Sequence, residues 1–157
     1  MAVFSTLLLI AFGHFFGAYI FYFFHRHIFH GKLGKLPMLK SWKKIHSLHH
    51  ADPKDPGNFF FPVWANILIW SIAGGLALIS WPIALGLFSF FPVYAYRHRR
   101  AHEGINSRWA HHHMSHHGSY TKANFSGTYP FLDKIFGTHQ LVPIRVKRDE
   151  HPNNWQR

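Results

Sequence analysis

Ten of the sixteen histidines fall into four groups whose spacing could place several imidazoles around one metal ion. His46, His49 and His50 are spaced i, i+3 and i+4, so all three share one face of a helix. The other three groups are the triplet His113, His116 and His117, the i, i+4 pair His98 and His102, and the pair His25 and His30. His25 and His30 are five residues apart, which is not one helical stripe, so we expect the chain to bend or unwind between them.

Ten imidazoles are too many for one ion, since structural zinc takes four protein ligands and catalytic zinc usually three. Two six-coordinate ions with five imidazoles each would both keep one position open. Imidazole binds iron, zinc, copper and nickel, and open positions on ferrous iron are where oxygen chemistry takes place. The chain has no cysteine, so thiolate ligands are excluded. We therefore predict a site for two metal ions and favour iron, with zinc as a substitute in purified protein.

Acidic residues are too scarce for a carboxylate-bridged centre, because the chain has only six. Asp52, Asp55 and Glu103 closely follow candidate ligands and could accept the second ring N–H of a ligating imidazole. Asp52 and Asp55 lie in a Pro- and Gly-containing turn, however, and shaping that turn is an equally good explanation.

The remaining histidines are weaker candidates. His27 could pair with His30, and His112 with His116, so participation of His27, His111 or His112 stays open. His14 is roughly 16 Å from His25 by helical rise, too far for ligation, and we expect it to pack or line a cavity. We expect no metal role for two further residues, His139 and His151.

Two long runs without charge must position these histidines. Residues 1–24 and 59–96 contain no Lys, Arg, Asp or Glu, and a membrane-spanning helix needs about 20 apolar residues. The second run would be about 57 Å long as one helix, so we predict a hairpin that turns at Ser80-Trp81-Pro82. The expected fold is an all-α membrane bundle with spans at about 2–24, 59–79 and 81–96.

The positive charge lies beside these spans. Five lysines follow the first run and three arginines follow the second, which marks the cytoplasmic side of a membrane protein and argues against nucleic-acid binding for a chain of net charge +11. We predict a single domain over residues 1–157, with the N-terminus outside. The His-rich segments 25–58 and 97–142 then form a cytoplasmic helical cap, followed by a loose tail at 147–157.

Several motifs together resemble the fatty acid hydroxylase and sterol desaturase superfamily of membrane diiron enzymes. The matching segments are His25-Arg-His-Ile-Phe-His30, His46-Ser-Leu-His49-His50, His98-Arg-Arg-Ala-His102, His113-Met-Ser-His116-His117, Asn124-Phe-Ser-Gly127 and Phe131-Leu-Asp133-Lys-Ile-Phe136-Gly137-Thr138. Their order is that of the family and the resemblance spans about residues 19–142, which makes Asn124 and Asp133 further candidates for a role beside the ligands.

The resemblance implies a non-haem diiron monooxygenase that hydroxylates a C–H bond of a fatty acyl, sterol or carotenoid-type lipid. Such an enzyme uses O₂ and electrons from a separate donor, a ferredoxin or cytochrome b5 type with its reductase. A lipid desaturase on the same scaffold is the alternative within the enzyme class. A membrane metal-binding or transport module is the alternative outside it, although the histidines flank the spans rather than sit at the midplane.

Overall fold

The computed structural model describes residues 2–55, 57, 61–118 and 121–140, and every regular element within them is helical. The α-helices are α1 (Ala2–Phe23), α2 (Lys40–Ala51), α3 (Val63–Ile79), α4 (Trp81–His102), α5 (Arg108–His117) and α6 (Pro130–Ile135). A π-helix, Phe24–Phe29, continues α1, and two short 3-10 turns, Leu33–Lys35 and Pro37–Leu39, lead into α2. The all-helical fold expected from the sequence is confirmed over this part of the chain.

The first helical segment has the properties of a membrane span. Ala2–Phe29 is 28 residues long, and it is the one helix in the described ranges that is both long and apolar enough to cross a bilayer. Large side chains along it face outward; Leu7 is 59% exposed and Phe12 56% exposed. The apolar helix α3 has 17 residues, fewer than the roughly 20 that a span requires. The structure thus gives one candidate span where the sequence predicts three, and Phe59, Phe60 and the tail at 147–157 lie outside the described residues.

The chain between His25 and His30 stays helical, which corrects the expectation of a bend or unwound segment. The backbone N–H of His30 donates to the carbonyl of His25 at 3.1 Å, the i to i+5 bond of a π-helix. A wider turn changes the side-chain period, so residues five apart can share a face. The π-helix therefore gives this pair the alignment that an α-helix would deny it.

α1 and α4 pack closely enough that glycine is required at the crossing. A Cβ on Gly13 would overlap the carbonyl of Ile83, and a Cβ on Gly86 would overlap the carbonyl of Ile10. Backbone contact of this kind is how membrane helices associate, since burial of apolar surface drives little association inside lipid. The crossing fixes the two helices that carry the first and third histidine groups.

The segment 121–140 covers the end of the α1–α4 pair nearest the histidines. Phe125 and Leu132 from this segment are buried in one cluster with Phe21, Tyr22 and Phe90. α5 precedes this segment in the chain. Ser107 caps the N-terminus of α5, and its Oγ accepts a hydrogen bond from the N–H of Ala110 at 3.3 Å. This apolar cluster packs against the histidines, since the ring of Phe125 contacts those of His25 and His116.

Candidate metal centre

The structure brings all ten candidate ligands into two groups of five. In each group one ring nitrogen per histidine lies within 4.8 Å of the others. Group A consists of His25, His30, His46, His50 and His116, and group B consists of His49, His98, His102, His113 and His117. Each sequence triplet is divided between the groups: residues i and i+4 of the first triplet enter group A, whereas its i+3 member, His49, enters group B.

In group A four rings form a cycle and the fifth caps it. Successive ring centroids around the cycle are 4.5–4.8 Å apart, and the cycle runs His25, His46, His50, His116. The centroid of His30 lies 4.6–5.1 Å from all four. The rings of His46 and His116, across the cycle, are 6.3 Å apart. This is the arrangement of a square pyramid with His30 at the apex.

Group B repeats the same arrangement. Its cycle runs His49, His98, His113, His117, with successive ring centroids 4.5–4.8 Å apart. The centroid of His102 lies 4.6–4.9 Å from all four rings. Each group could therefore offer five nitrogen ligands to one metal ion, and among the described residues no sixth His, Asp or Glu joins either group.

The distances between ligand nitrogens fit octahedral angles. In group A the Nε2 atom of His46 lies 2.8 Å from that of His30 and 3.0 Å from that of His25. In group B the Nε2 atoms of His102 and His113 are 2.9 Å apart. Metal–nitrogen bonds of about 2.1 Å place adjacent nitrogens about 3.0 Å apart at right angles, but about 3.4 Å apart at a tetrahedral angle. Most of these distances are near the right-angle value, although the Nε2 atoms of His98 and His102 are 3.3 Å apart, and five rings per group exceed the four ligands of a structural zinc.

The two groups touch but share no ligand. The rings of His50 in group A and His117 in group B stack with centroids 4.3 Å apart and an interplanar angle of 26°. Their neighbours in sequence, His49 and His116, belong to the opposite groups. Two ions held here would be neighbours separated by imidazole rings, without a carboxylate between them.

Burial keeps these imidazoles neutral, as metal ligation requires. The pKa is lowered to about 3 in His30 and His49, and to about 4 in His50, His102 and His116. Loss of hydration is the largest cause in each case, and in His30 and His49 the neighbouring imidazoles lower the pKa further. A neutral ring has one nitrogen lone pair free for a metal, so at neutral pH the groups are already in the binding state.

Two ligands of group A are oriented by backbone carbonyls of the segment 121–140. Nδ1 of His25 lies 2.5 Å from the carbonyl oxygen of Phe125, and Nδ1 of His116 lies 2.7 Å from that of Ala123. A carbonyl can only accept, so in both rings Nδ1 carries the proton. The Nε2 lone pair is thereby directed into the group.

Asn124 and Asp133, which the motif resemblance singled out, hold this segment in place. Asn124 has a φ of 58°, and its amide donates to Ser115 Oγ of α5 at 2.6 Å. Asp133 is fully buried and accepts from the N–H groups of Phe125 and Ser126, Thr138 Oγ1 and His112 Nε2 at 2.7–2.9 Å. Burial alone would raise the pKa of Asp133, but these hydrogen bonds outweigh it and lower the pKa.

The other three acidic candidates form contacts away from the ligand rings, and for Asp52 and Asp55 these contacts fit the turn-shaping alternative. The carboxylate of Asp52 accepts from the N–H of Lys54, and that of Asp55 accepts from the N–H of Gly57, so both shape the turn after α2. Glu103 pairs with Arg99 and Arg100 on the surface of α4, each at 2.7 Å. Glu103 directly follows His102 at the end of α4, but side chains one residue apart on a helix point to different faces.

The remaining histidines lie outside both groups. His112 is fully buried and contacts Asp133 instead of His116, which corrects the alternative of a pair with His116. His14 lies between Ser89 Oγ and Tyr129 Oη, at 2.7 and 2.5 Å, in the packing role expected of it. His27 contacts Phe23, and His139 stacks on His112. His111 is outside both groups too, and His151 is beyond the described residues.

Ser126 and Thr138 are further site residues to which the sequence assigned no role. Both lie in the motifs that carry the resemblance, so the signal was present. Both donate hydrogen bonds to the carboxylate of Asp133, and the sequence alone does not show that these three residues meet.

Comparison with known proteins gives one clear match. The sequence model of the fatty acid hydroxylase family matches residues 9–138, which is most of the chain and includes all ten histidines of groups A and B. No significant match was found among curated proteins or among solved structures.

Proposed function

Because the chain belongs to the fatty acid hydroxylase family, we propose that it is a membrane diiron monooxygenase that hydroxylates a C–H bond of a lipid. The family implies an oxidoreductase, and the family together with the long apolar helix indicates a membrane protein. The observation that carries the proposal is the division of ten imidazoles into two groups of five, each arranged as a square pyramid. The lipid is of the fatty acyl, sterol or carotenoid type.

Iron is the metal that we propose for this ligand set, on the grounds of ligand number and chemistry, not affinity. Five imidazoles exceed what a structural zinc site uses, and an all-nitrogen site with one open position suits ferrous iron. When bound, the two ions would supply the activation of O₂ by external electrons. One oxygen atom enters the C–H bond as a hydroxyl group; the other leaves as water after uptake of two electrons and two protons. Zinc binds such ligands more tightly than ferrous iron, so it can replace iron during overexpression.

In this proposal the lipid would approach each group from the side of the apolar helices. His25 and His98, which precede His30 and His102 along the chain, lie next to α1 and within α4, so they would be the histidines nearest to the lipid.

Phe21 and Tyr94 lie on that side of the metal groups. Their ring centroids are 4.3 Å apart; Phe21 contacts His25 and Tyr94 stacks on His98. We infer that these two rings contact the lipid carbon that is oxidised. Tyr94→Leu should change the position of the hydroxyl group in the product; an unchanged product distribution would count against this contact.

Three membrane spans with every His-rich segment on the cytoplasmic side are part of the proposal. α3 and α4 form a hairpin at Ser80; the 22 residues of α4 are enough for a span, and the 17 residues of α3 are at the short end of the range for one. The lysines after the π-helix and the arginines at the end of α4 support a cytoplasmic cap.

A separate electron donor is also part of the proposal. Lys32, Lys35, Lys40 and Lys44 are exposed around α2, so an acidic ferredoxin or cytochrome would be attracted to this surface. Turnover driven by such a donor should fall as ionic strength rises, whereas turnover driven by a small chemical reductant should not. Equal salt dependence in the two assays would reject the electrostatic docking.

Labelled oxygen distinguishes the hydroxylase from its alternatives. Iron-loaded protein in lipid vesicles, supplied with a donor and isotopically labelled O₂, should consume oxygen and place one labelled atom in a lipid. A desaturase would consume oxygen but give a product that has lost two hydrogens and gained no label. A transport module would consume none in excess of the His49→Ala variant.

A further inference from the structure

Asp133 accepts four hydrogen bonds from three parts of the chain that meet beside group A. Its oxygen Oδ1 accepts from the N–H of Phe125 and from Thr138 Oγ1, while Oδ2 accepts from the N–H of Ser126 and from His112 of α5. The side chain has no exposed surface. A buried carboxylate is costly without such partners, so the full set of donors indicates an arrangement that is held firmly.

The peptide units that Asp133 holds are the ones that orient the metal ligands. Phe125 donates its N–H to Asp133, and its carbonyl accepts from His25. The carbonyl of Ala123, two residues earlier, accepts from His116. A carboxylate that fixes the backbone at 125 and 126 therefore also fixes two ligand rings.

Both oriented rings belong to group A. His25 and His116 are neighbours in its equatorial cycle, with centroids 4.5 Å apart. In group B, the carbonyl of Pro53, at the other end of the cap, faces His102 instead. The segment 121–140 thus touches the two metal groups unequally.

We propose that Asp133 is a positioning residue for the group A metal alone, so that the two metal sites differ in affinity and in electronic structure. This rests on the proposed function, since it presumes a metal in each group. If Asp133 had a purely structural role, its loss would affect both metals. α5 carries His116 of group A but also His113 and His117 of group B, so general loosening of α5 would affect both metals.

The Asp133→Asn variant tests this directly. An amide keeps one acceptor oxygen but presents N–H groups where Ser126 and His112 must donate. The affinity of group A should fall about 10–100-fold, as expected when a residue that orients a ligand is lost. After a chelator wash, metal content should drop from about two per chain in the wild type to about one. In Mössbauer spectra of iron-loaded protein, the signal of the weakened iron should change and that of the other should stay.

Double variants identify which metal is lost. Adding His50→Ala, which removes a group A ligand, should leave the remaining metal in place, whereas adding His113→Ala from group B should remove it. Glu103→Gln is the matched control, because this carboxylate pairs only with surface arginines in the described structure, and it should keep both metals. If Asp133→Asn does not fold, Thr138→Val deletes one donor to Oδ1 and should weaken the same metal to a smaller degree.

The inference and the proposed function fail in different ways. Wild-type protein with a single metal would overturn the dinuclear proposal itself. Wild-type protein with two metals, of which Asp133→Asn loses both or neither, would overturn only the positioning role. The positioning role would also be overturned if, in the Asp133→Asn background, His113→Ala left the remaining metal in place and His50→Ala removed it.

Discussion

Single residues carry the chemistry, and the sequence was sufficient to find most of them. Spacing alone identified the ten histidines that the structure gathers, because i, i+3 and i+4 neighbours share a helix face. Spacing could not tell which ion each imidazole would serve. His49 and His50 are adjacent in sequence yet lie in different groups, a division that depends on where the fold brings His98 of α4 and His116 of α5 to meet them.

The lowered pKa values predict that acid destabilises the metal-free protein. His30 and His49 titrate near pH 3 in the folded chain but near the ordinary value of about 6.5 once unfolded. Below pH 6.5 the unfolded chain therefore binds more protons, and stability falls as the pH drops towards about 4. The unfolding temperature of metal-free protein in detergent should be level above pH 7 and fall steadily from pH 6.5 to 4. A constant unfolding temperature across that interval would contradict the buried, neutral state of these rings.

At the scale of elements, helix type and helix approach decide whether the ligands meet. The sequence indicated that His25 and His30 did not fit an α-helix, but it did not distinguish an unwound segment from a π-helix. An unwound segment and a π-helix can each bring residues five apart to the same side, and which of them forms depends on how the segment packs against α2. The roles of Asp133 and Ser126 were hidden for a similar reason, since they arise where separate turns close on one another.

The crossing of α1 and α4 should be sensitive to side-chain volume at Gly86. Gly86→Leu would force the two backbones apart, and overpacking of this kind costs about 1–3 kcal/mol. Because the π-helix that continues α1 carries His25, while α4 carries His98 and His102, both metals should be weakened together. Gly75→Leu in α3 is the matched control, since a Cβ there meets nothing within 4 Å. Thermal unfolding and metal content should both drop in the first variant; equal behaviour of the two variants would argue against the close crossing.

At the scale of the whole molecule, the sequence predicts how the chain is oriented in the bilayer. Charge placement indicates three spans, while only Ala2–Phe29 meets the length and hydropathy of a span among the described residues. α3 is short and α4 carries charge near one end, so the depth of this hairpin in the bilayer depends on neighbouring helices and on the lipid.

Accessibility of introduced cysteines tests this topology. The chain has no cysteine of its own, and Lys35 and Lys122 are exposed in the two His-rich segments. Lys35→Cys and Lys122→Cys should both resist an impermeant thiol reagent in intact cells and react after permeabilisation. If only one of them reacts from outside, the three-span arrangement is wrong.

The number of irons per chain tests the central claim most directly. Elemental analysis of protein purified with iron available should give about two ions per chain, because each five-imidazole group accommodates one six-coordinate ion. His49→Ala and His116→Ala should each lose one ion, from different groups, and the double variant should lose both. His139→Ala, which lies outside both groups, should keep two. One ion per chain in the wild type, or full occupancy in the double variant, would contradict the account.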